Sequence, residues 1–186
     1  MNKIACILPG IGYTCDRPLL YYSGKLAQGM GWEVARVPYG GFPPKVKGDA
    51  EKMRQSAEMA LAQTEEMLRS VDWAQYEDIL FISKSVGTVA AASYAHARRL
   101  PCRHILFTPV EATFAVPVPH AVAFHGTADP WAETAKIKSL CRAADIPLYI
   151  TENANHSLET GDVARDIAAL AAVMARAEEY MRGGME

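Results

Sequence analysis

Residues 79–90 read ILFISKSVGTVA. The stretch opens with four apolar residues, continues with two serines separated by one lysine, and ends in small residues. An unbroken apolar run of this length is typical of a strand covered on both faces, and small residues after it favour a helix packed closely against that strand. The stretch therefore predicts a buried strand, a tight turn at Ser83 to Ser85, and a helix.

Apolar runs and helical patterns alternate on either side of this stretch. The further apolar runs are residues 4–8, 34–37, 105–107, 121–124 and 148–150. The helical patterns are residues 18–30, 50–71, 86–99, 132–144 and 163–181, and Asp49 and Asp162 are the predicted N-caps of two of them. Such alternation favours a parallel sheet with right-handed crossovers and helices on both faces. We expect an α/β three-layer sandwich whose mostly parallel sheet has about six strands.

Length and composition indicate one globular domain spanning residues 1–186. Half of the residues are hydrophobic, 22% are charged, and the formal net charge is only −2. Lysines and arginines are scattered, so no nucleic-acid partner is expected. The apolar run at the N-terminus is too short for a signal peptide or a membrane span, so no membrane partner is expected either.

The four cysteines show no metal-ligand spacing; they are Cys6, Cys15, Cys102 and Cys141. Without a secretion signal, they are interpreted as reduced thiols of a cytoplasmic protein. We therefore expect neither a structural metal nor disulfides.

The turn after the third apolar run carries a candidate nucleophile. Ser83-Lys84-Ser85-Val86-Gly87 approximates the GxSxG nucleophile elbow, with Ser83 in place of the first glycine. Only Ser85 has a glycine two positions later, so Ser85 is interpreted as the nucleophile and Ser83 as the small flanking residue. The Val86 amide, at the start of a helix, would face a developing oxyanion. The alternative is that Ser85 only caps the helix.

Two later loops supply the other groups that a serine nucleophile needs. Asp129 follows the fifth apolar run in AFHGTADPW, and His156 follows the sixth in ITENANHSLE. Because the carboxyl ends of parallel strands meet at one edge of a sheet, we expect these side chains to lie near Ser85. A serine hydroxyl needs a base to take its proton, and the base needs a carboxylate to orient it. The sequence thus predicts a catalytic triad of Ser85, Asp129 and His156.

Four motifs together resemble the α/β-hydrolase superfamily, in particular its small members without a lid, related to dienelactone hydrolases and carboxylesterases. They are LPGIG, SKSVG, HGTADPW and NANHS, and they span nearly the whole chain. The resemblance implies a minimal α/β-hydrolase fold. It also implies that Ser85, Asp129 and His156 are the nucleophile, the acid and the base.

The loop after the first apolar run corresponds to the place where such enzymes carry a second oxyanion donor. Pro9 stands where the family usually has a histidine. The resemblance implies that the amide of Ile11, or alternatively that of Gly12, joins that of Val86. A dinucleotide-binding GxGxxG loop would require glycine at Cys15 and an acidic residue ending the second strand, so we expect no cofactor.

Only residues 109–119 separate the fourth apolar run from the next strand, which is too few for a helical lid. We therefore expect an open cleft, with Tyr13 and Trp131 contacting the substrate. Further apolar candidates for its walls are Tyr39, Phe42 and Phe114, and the alternative is that these side chains close the rim of the core.

Other polar residues are interpreted without a catalytic role. Surface positions are predicted for His96, His104 and His120. His125 is interpreted as a residue that fixes its loop through a hydrogen bond, and Lys84 as an exposed lysine rather than a contact to an acidic substrate.

These observations predict a serine hydrolase that cleaves small carboxylic esters or thioesters through an acyl-enzyme on Ser85, with no metal and no cofactor. Two alternatives stay open: a catalytically inactive binding protein of the same fold, and an acyltransferase that uses the same triad. The sequence does not indicate the acyl group, the leaving group or the oligomeric state.

Overall fold

The computed structural model describes residues 2–183. This part of the chain contains six strands, β1 Lys3–Leu8, β2 Glu33–Arg36, β3 Asp78–Lys84, β4 Arg103–Phe107, β5 Ala121–Gly126 and β6 Leu148–Thr151. It also contains five α-helices, α1 Pro18–Gly29, α2 Ala50–Met67, α3 Val86–Arg98, α4 Thr134–Ala143 and α5 Val163–Arg182. Short 3₁₀ helices, Trp73–Gln75 and Glu111–Ala115, precede β3 and follow β4.

The six strands form one sheet in the order β2-β1-β3-β4-β5-β6. Every neighbouring pair is parallel. All residues of β3, β4 and β5 are buried, whereas the edge strands β2 and β6 are partly exposed. The predicted α/β sandwich with a mostly parallel sheet is therefore confirmed, and the observed sheet is parallel throughout.

Helices cover both faces of the sheet because alternate strand residues point to opposite faces. On one face, Ile82 and Phe107 pack with Leu19 of α1 and Val173 of α5. On the other, apolar strand residues pack against α2 and α3 in one cluster and α4 in another; they include Phe81, Cys6 and Leu106. Burying each large apolar side chain stabilises the fold by about 1.5–3 kcal/mol.

Both predicted aspartate N-caps are confirmed. Asp49 accepts a hydrogen bond from the Lys52 amide at 3.1 Å, and Asp162 accepts one from the Arg165 amide at 3.0 Å. These bonds satisfy amides that have no acceptor within the helix. None of the helices within residues 2–183 is long and apolar enough to cross a membrane.

Two predicted helix boundaries are wrong. The second helix ends at Met67 rather than at residue 71, because the amide of Val71 donates to the Leu68 carbonyl and forms a turn. The fourth begins at Thr134 rather than at residue 132, because the Asp129 side chain accepts a hydrogen bond from the Trp131 amide and holds that segment in a turn.

Candidate active site

Ser85 occupies the turn between β3 and α3. Its φ of 55° and ψ of −123° lie in a region that side chains other than glycine rarely adopt, as in a nucleophile elbow. The Ser85 amide donates to the carbonyl of Phe107 at 3.1 Å, which anchors the turn to β4. Within the described chain, the Ser85 side chain makes no capping hydrogen bond to α3, so the interpretation as a simple helix cap is wrong.

Small residues let the turn, α3 and the first loop approach one another. A Cβ atom on Gly87 would lie 2.5 Å from the carbonyl oxygen of Leu8 and would overlap that of Pro9. A Cβ atom on Gly10 would lie 3.1 Å from the Cβ atom of Ser85. Ser83 is fully buried in β3, so it provides a small flanking side chain, as its predicted role requires.

His156 lies within hydrogen-bonding distance of both other residues of the predicted triad. Nε2 of His156 is 2.8 Å from Oγ of Ser85, and Nδ1 of His156 is 2.7 Å from Oδ2 of Asp129. An ionised carboxylate only accepts hydrogen bonds, so Nδ1 carries the proton in the neutral ring. Nε2 is then the acceptor for the serine hydroxyl.

The charge states of Asp129 and His156 suit this arrangement. Burial alone would raise the pKa of Asp129, but the hydrogen bonds from His156 and from the Trp131 amide, at 2.8 Å, hold it below its usual value. Burial lowers the pKa of His156, and this effect outweighs the hydrogen bond to Asp129 that would raise it. The site at neutral pH therefore holds a carboxylate beside a neutral imidazole.

The loop that carries His156 is fixed from two sides. Thr108, which follows β4, donates from its hydroxyl to the His156 carbonyl at 3.1 Å. At the end of β5, a Cβ atom on Gly126 would overlap the carbonyl oxygen of Ala154. Only glycine at position 126 allows this approach, which brings the Asp129 and His156 loops together.

The first loop forms a tight turn beside Ser85. Gly10 and Tyr13 exchange two backbone hydrogen bonds, at 3.1 and 3.3 Å. This pair uses the amides of Gly10 and Tyr13, so those of Ile11 and Gly12 at the tip are left out of it. Gly12 has a φ of 67°, which favours glycine.

A cleft of roughly 160 Å³ brings the first loop, the elbow and the His156 loop together. Its lining includes Ile11, Val86 and Met53, besides Ser85 and His156. Tyr13 and Trp131 line it as well. The Trp131 ring lies 5.6 Å from the His156 ring at an angle of 30°, and the Tyr13 hydroxyl accepts a hydrogen bond from the Leu19 amide at 3.1 Å. Tyr13 and Trp131 therefore both line the cleft, and each also contacts a neighbouring residue of the fold.

No protein-family model matches the sequence, and no curated protein sequence matches it significantly. Solved structures do match. Est1E from Butyrivibrio proteoclasticus, solved with ferulic acid bound, is 12% identical, with a TM-score of 0.70 over 98% of this chain and 89% of that chain. An esterase from Pyrococcus furiosus is 14% identical, with a TM-score of 0.66 over 100% and 84% of the two chains. An α/β serine hydrolase without a lid from Xanthomonas campestris is 14% identical, with a TM-score of 0.64 over 96% and 80%.

The chain has the α/β-hydrolase fold. The predicted resemblance is thereby confirmed at the level of the fold. In this α/β-hydrolase fold, the candidate nucleophile, acid and base follow β3, β5 and β6, the strands after which the sequence predicted them.

His125 holds its loop by a hydrogen bond, with Nε2 lying 3.1 Å from Oγ1 of Thr134.

Four other side chains lie in the core or at its rim, rather than in the cleft or on the surface. Tyr39 and Phe42 pack in the apolar cluster beside α2 and α3, and Phe114 packs in the cluster beside α4. His104 is buried rather than on the surface, and its ring stacks on that of Phe81 at 5.5 Å. His104 is buried because it occupies β4, whose two faces are both covered.

Lys84 is a functional candidate that the sequence interpretation weighed and set aside. It was predicted to be exposed, but only 1% of its surface is exposed, and it lines the cleft with Ser85 and His156. A signal was present, because Lys84 shares its strand face with Leu80 and Ile82, which pack against α1 and α5. The described residues hold no group of three or more His, Cys, Asp and Glu side chains placed to bind a metal ion.

Proposed function

We propose that the protein is a serine hydrolase that cleaves small carboxylic esters or thioesters through an acyl-enzyme on Ser85. The observation that carries this proposal is the continuous hydrogen-bonded chain from Asp129 through His156 to Ser85, with separations of 2.7 and 2.8 Å. This is the arrangement that converts a weak hydroxyl into a nucleophile. The solved esterase and serine hydrolase of the same fold support the same class of reaction.

In the acylation step, Oγ of Ser85 forms a bond to the carbonyl carbon while Nε2 of His156 takes the hydroxyl proton. The carboxylate of Asp129 stabilises the imidazolium that results. His156 then returns the proton to the departing alkoxide or thiolate, and the carbon–oxygen or carbon–sulfur bond breaks. Water, deprotonated by the same Nε2, attacks the acyl-enzyme. His156 returns that proton to Oγ of Ser85 as the bond to the acyl carbon breaks and the carboxylic acid is released.

The tetrahedral intermediates carry a negative oxygen that needs hydrogen-bond donors. The amides of Val86 and Ile11 are the proposed donors, with Gly12 as the alternative in the first loop. Support comes from their place in the wall of the cleft beside Ser85. The Val86 amide also lies at the N-terminus of α3, where the helix dipole favours negative charge.

The proposed substrate is a small molecule, because the cleft holds only roughly 160 Å³. Tyr13 and Trp131 are the proposed apolar contacts for it. The chemistry uses only protein groups and water. The four cysteines are free and buried, which favours a reducing compartment such as the cytoplasm.

The proposal is tested by hydrolysis of p-nitrophenyl acetate. Replacing the nucleophile with Ser85→Ala should lower kcat by about 10⁶-fold, the loss expected when one member of a triad is removed. Ser83→Ala is the matched control, since Ser83 is a buried serine near the end of β3, two positions before Ser85, and it should retain activity. Equal activity of wild type and Ser85→Ala would reject the proposal.

Hydrolysis and acyl transfer differ only in the acceptor of the acyl group. Adding alcohols or amines to the assay and measuring product partition distinguishes the two. A hydrolase should give mainly the free acid, and an acyltransferase should give mainly the new ester or amide.

A further inference from the structure

Lys84 places a buried ammonium group in the cleft of the candidate active site. It directly precedes Ser85 and ends β3, and only 1% of its surface is exposed. The same cleft is lined by Ser85 and His156. A lysine this deeply buried is uncommon unless its charge is paired.

The ammonium group has no full counter-ion in the protein. Nζ lies 4.5 Å from the centroid of the Tyr13 ring, and within residues 2–183 it forms no hydrogen bond or ion pair. Asp129 and Glu159 attract it only from longer range. Both carboxylate oxygens of Asp129 already accept hydrogen bonds, from His156 and from the Trp131 amide.

Burying the Lys84 ammonium group without a counter-ion lowers the stability of the folded state. Burial disfavours the charged form and lowers the pKa of Lys84 to about 7. A methionine would fill a similar volume without desolvating a charge. A costly ionisable group beside a nucleophile is therefore a candidate for binding or catalysis.

We propose that the ammonium group of Lys84 binds a carboxylate of the substrate, so that the preferred substrates are small esters or thioesters that also carry a free carboxylate. This inference rests on the proposed function and specifies its substrate class. The carboxylate supplies the counter-ion that the protein lacks, beside a lysine of which only 1% of the surface is exposed. A neutral substrate of the same shape leaves the ammonium group unpaired, so discrimination follows from the charge.

Two matched pairs of esters test the inference and locate the carboxylate. Methyl hydrogen glutarate and methyl pentanoate differ by a carboxylate in place of the terminal methyl group of the acyl chain. Acetoxyacetate and ethyl acetate differ by a carboxylate in place of the terminal methyl group of the alkoxide leaving group. Wild type should prefer the anionic member of at least one pair by about thirty-fold or more in kcat/KM, measured by proton release at constant pH. The preferred pair identifies the part of the substrate that Lys84 binds.

The variant Lys84→Met removes the charge and retains much of the volume. It should abolish the preference for the anionic ester, whereas Lys25→Met, which removes an exposed lysine on α1, should leave it unchanged. An equal loss for both members of a pair would overturn the inference, because the charge would then act on the reaction rather than on a substrate carboxylate. Wild type without a preference in either pair would overturn it as well.

Two further measurements distinguish a failure of the proposed role of Lys84 from a failure of the proposed serine hydrolase function. Competitive inhibition of wild type by pentanoate, compared with the neutral pentanamide, tests carboxylate binding without any variant. Tighter inhibition by pentanoate supports the inference, and equal inhibition contradicts it. A neutral fluorophosphonate reports on the nucleophile alone. Labelled Ser85 without a preference for anionic esters rejects only the role of Lys84, whereas unlabelled Ser85 rejects the proposed function itself.

Discussion

Nδ1 of His156 lies 2.7 Å from Oδ2 of Asp129, and this contact fixes which ring nitrogen faces Ser85. Asp129→Asn replaces an acceptor-only carboxylate by an amide that can also donate, so the ring loses its preferred tautomer and the imidazolium loses its counter-ion. We expect kcat for p-nitrophenyl acetate to fall by about 10⁴-fold with little change in KM. A variant that keeps most of its activity would contradict the role of this contact.

The pH dependence of kcat/KM should follow the protonation of His156. Its pKa lies below the usual 6.5, first because the ring is buried and also because of the charge of Lys84. The base must be neutral, so activity toward the neutral ester p-nitrophenyl acetate should rise with pH to a plateau, with a midpoint below 6.5. Lys84→Met should move the midpoint upward. A wild-type midpoint above 7, measured from about pH 5 to about pH 9, would contradict this account.

Gly87→Ala should disrupt the elbow because the added Cβ atom meets backbone rather than a flexible side chain. It would lie 2.5 Å from the Leu8 carbonyl oxygen. We expect the free energy of unfolding to fall by about 1–3 kcal/mol in urea denaturation, together with a loss of activity. Gly29→Ala is the matched control, since a Cβ atom there meets nothing within 4 Å, and its stability should be nearly unchanged. Equal stability of the two variants would argue against the close approach.

Lys84→Met should stabilise the protein at neutral pH. The pKa of Lys84 falls from 10.5 to about 7 on folding, so between these values the unfolded chain binds more protons than the folded one. The wild-type free energy of unfolding should therefore receive a contribution that rises with pH across this range, and the variant should lack it. We expect Lys84→Met to exceed wild type by about 1–4 kcal/mol near pH 7, with a smaller difference near pH 10. Lower stability of the variant at pH 7 would show that the ammonium group has a protein partner.

The fold and the candidate triad could be predicted because both leave local signals in the sequence. Continuous apolar runs mark the buried strands, and Ser85, Asp129 and His156 each follow such a run. In a parallel sheet that position alone brings residues to one edge. The family resemblance added the assignment of roles.

The features that the sequence could not predict are the burial of individual side chains and the backbone hydrogen bonds of one turn. Lys84 and His104 were predicted to be exposed because their residue types usually are, but both lie on strands covered on both faces. Tyr39 and Phe42 are candidates for the cleft wall by residue type, whereas packing beside α2 places them, partly buried, at the rim of the core. The turn between Gly10 and Tyr13 likewise depends on backbone hydrogen bonds that residue types do not specify.

Labelling with a fluorophosphonate, followed by peptide mapping, tests the central claim most directly. The probe reacts with a serine only when a neighbouring base activates the hydroxyl. Wild type should carry one phosphonyl group on Ser85, Ser83→Ala should be labelled equally, and His156→Ala should not be labelled. Label on another residue, or undiminished labelling of Ser85→Ala, would contradict the claim that Asp129 and His156 activate Ser85.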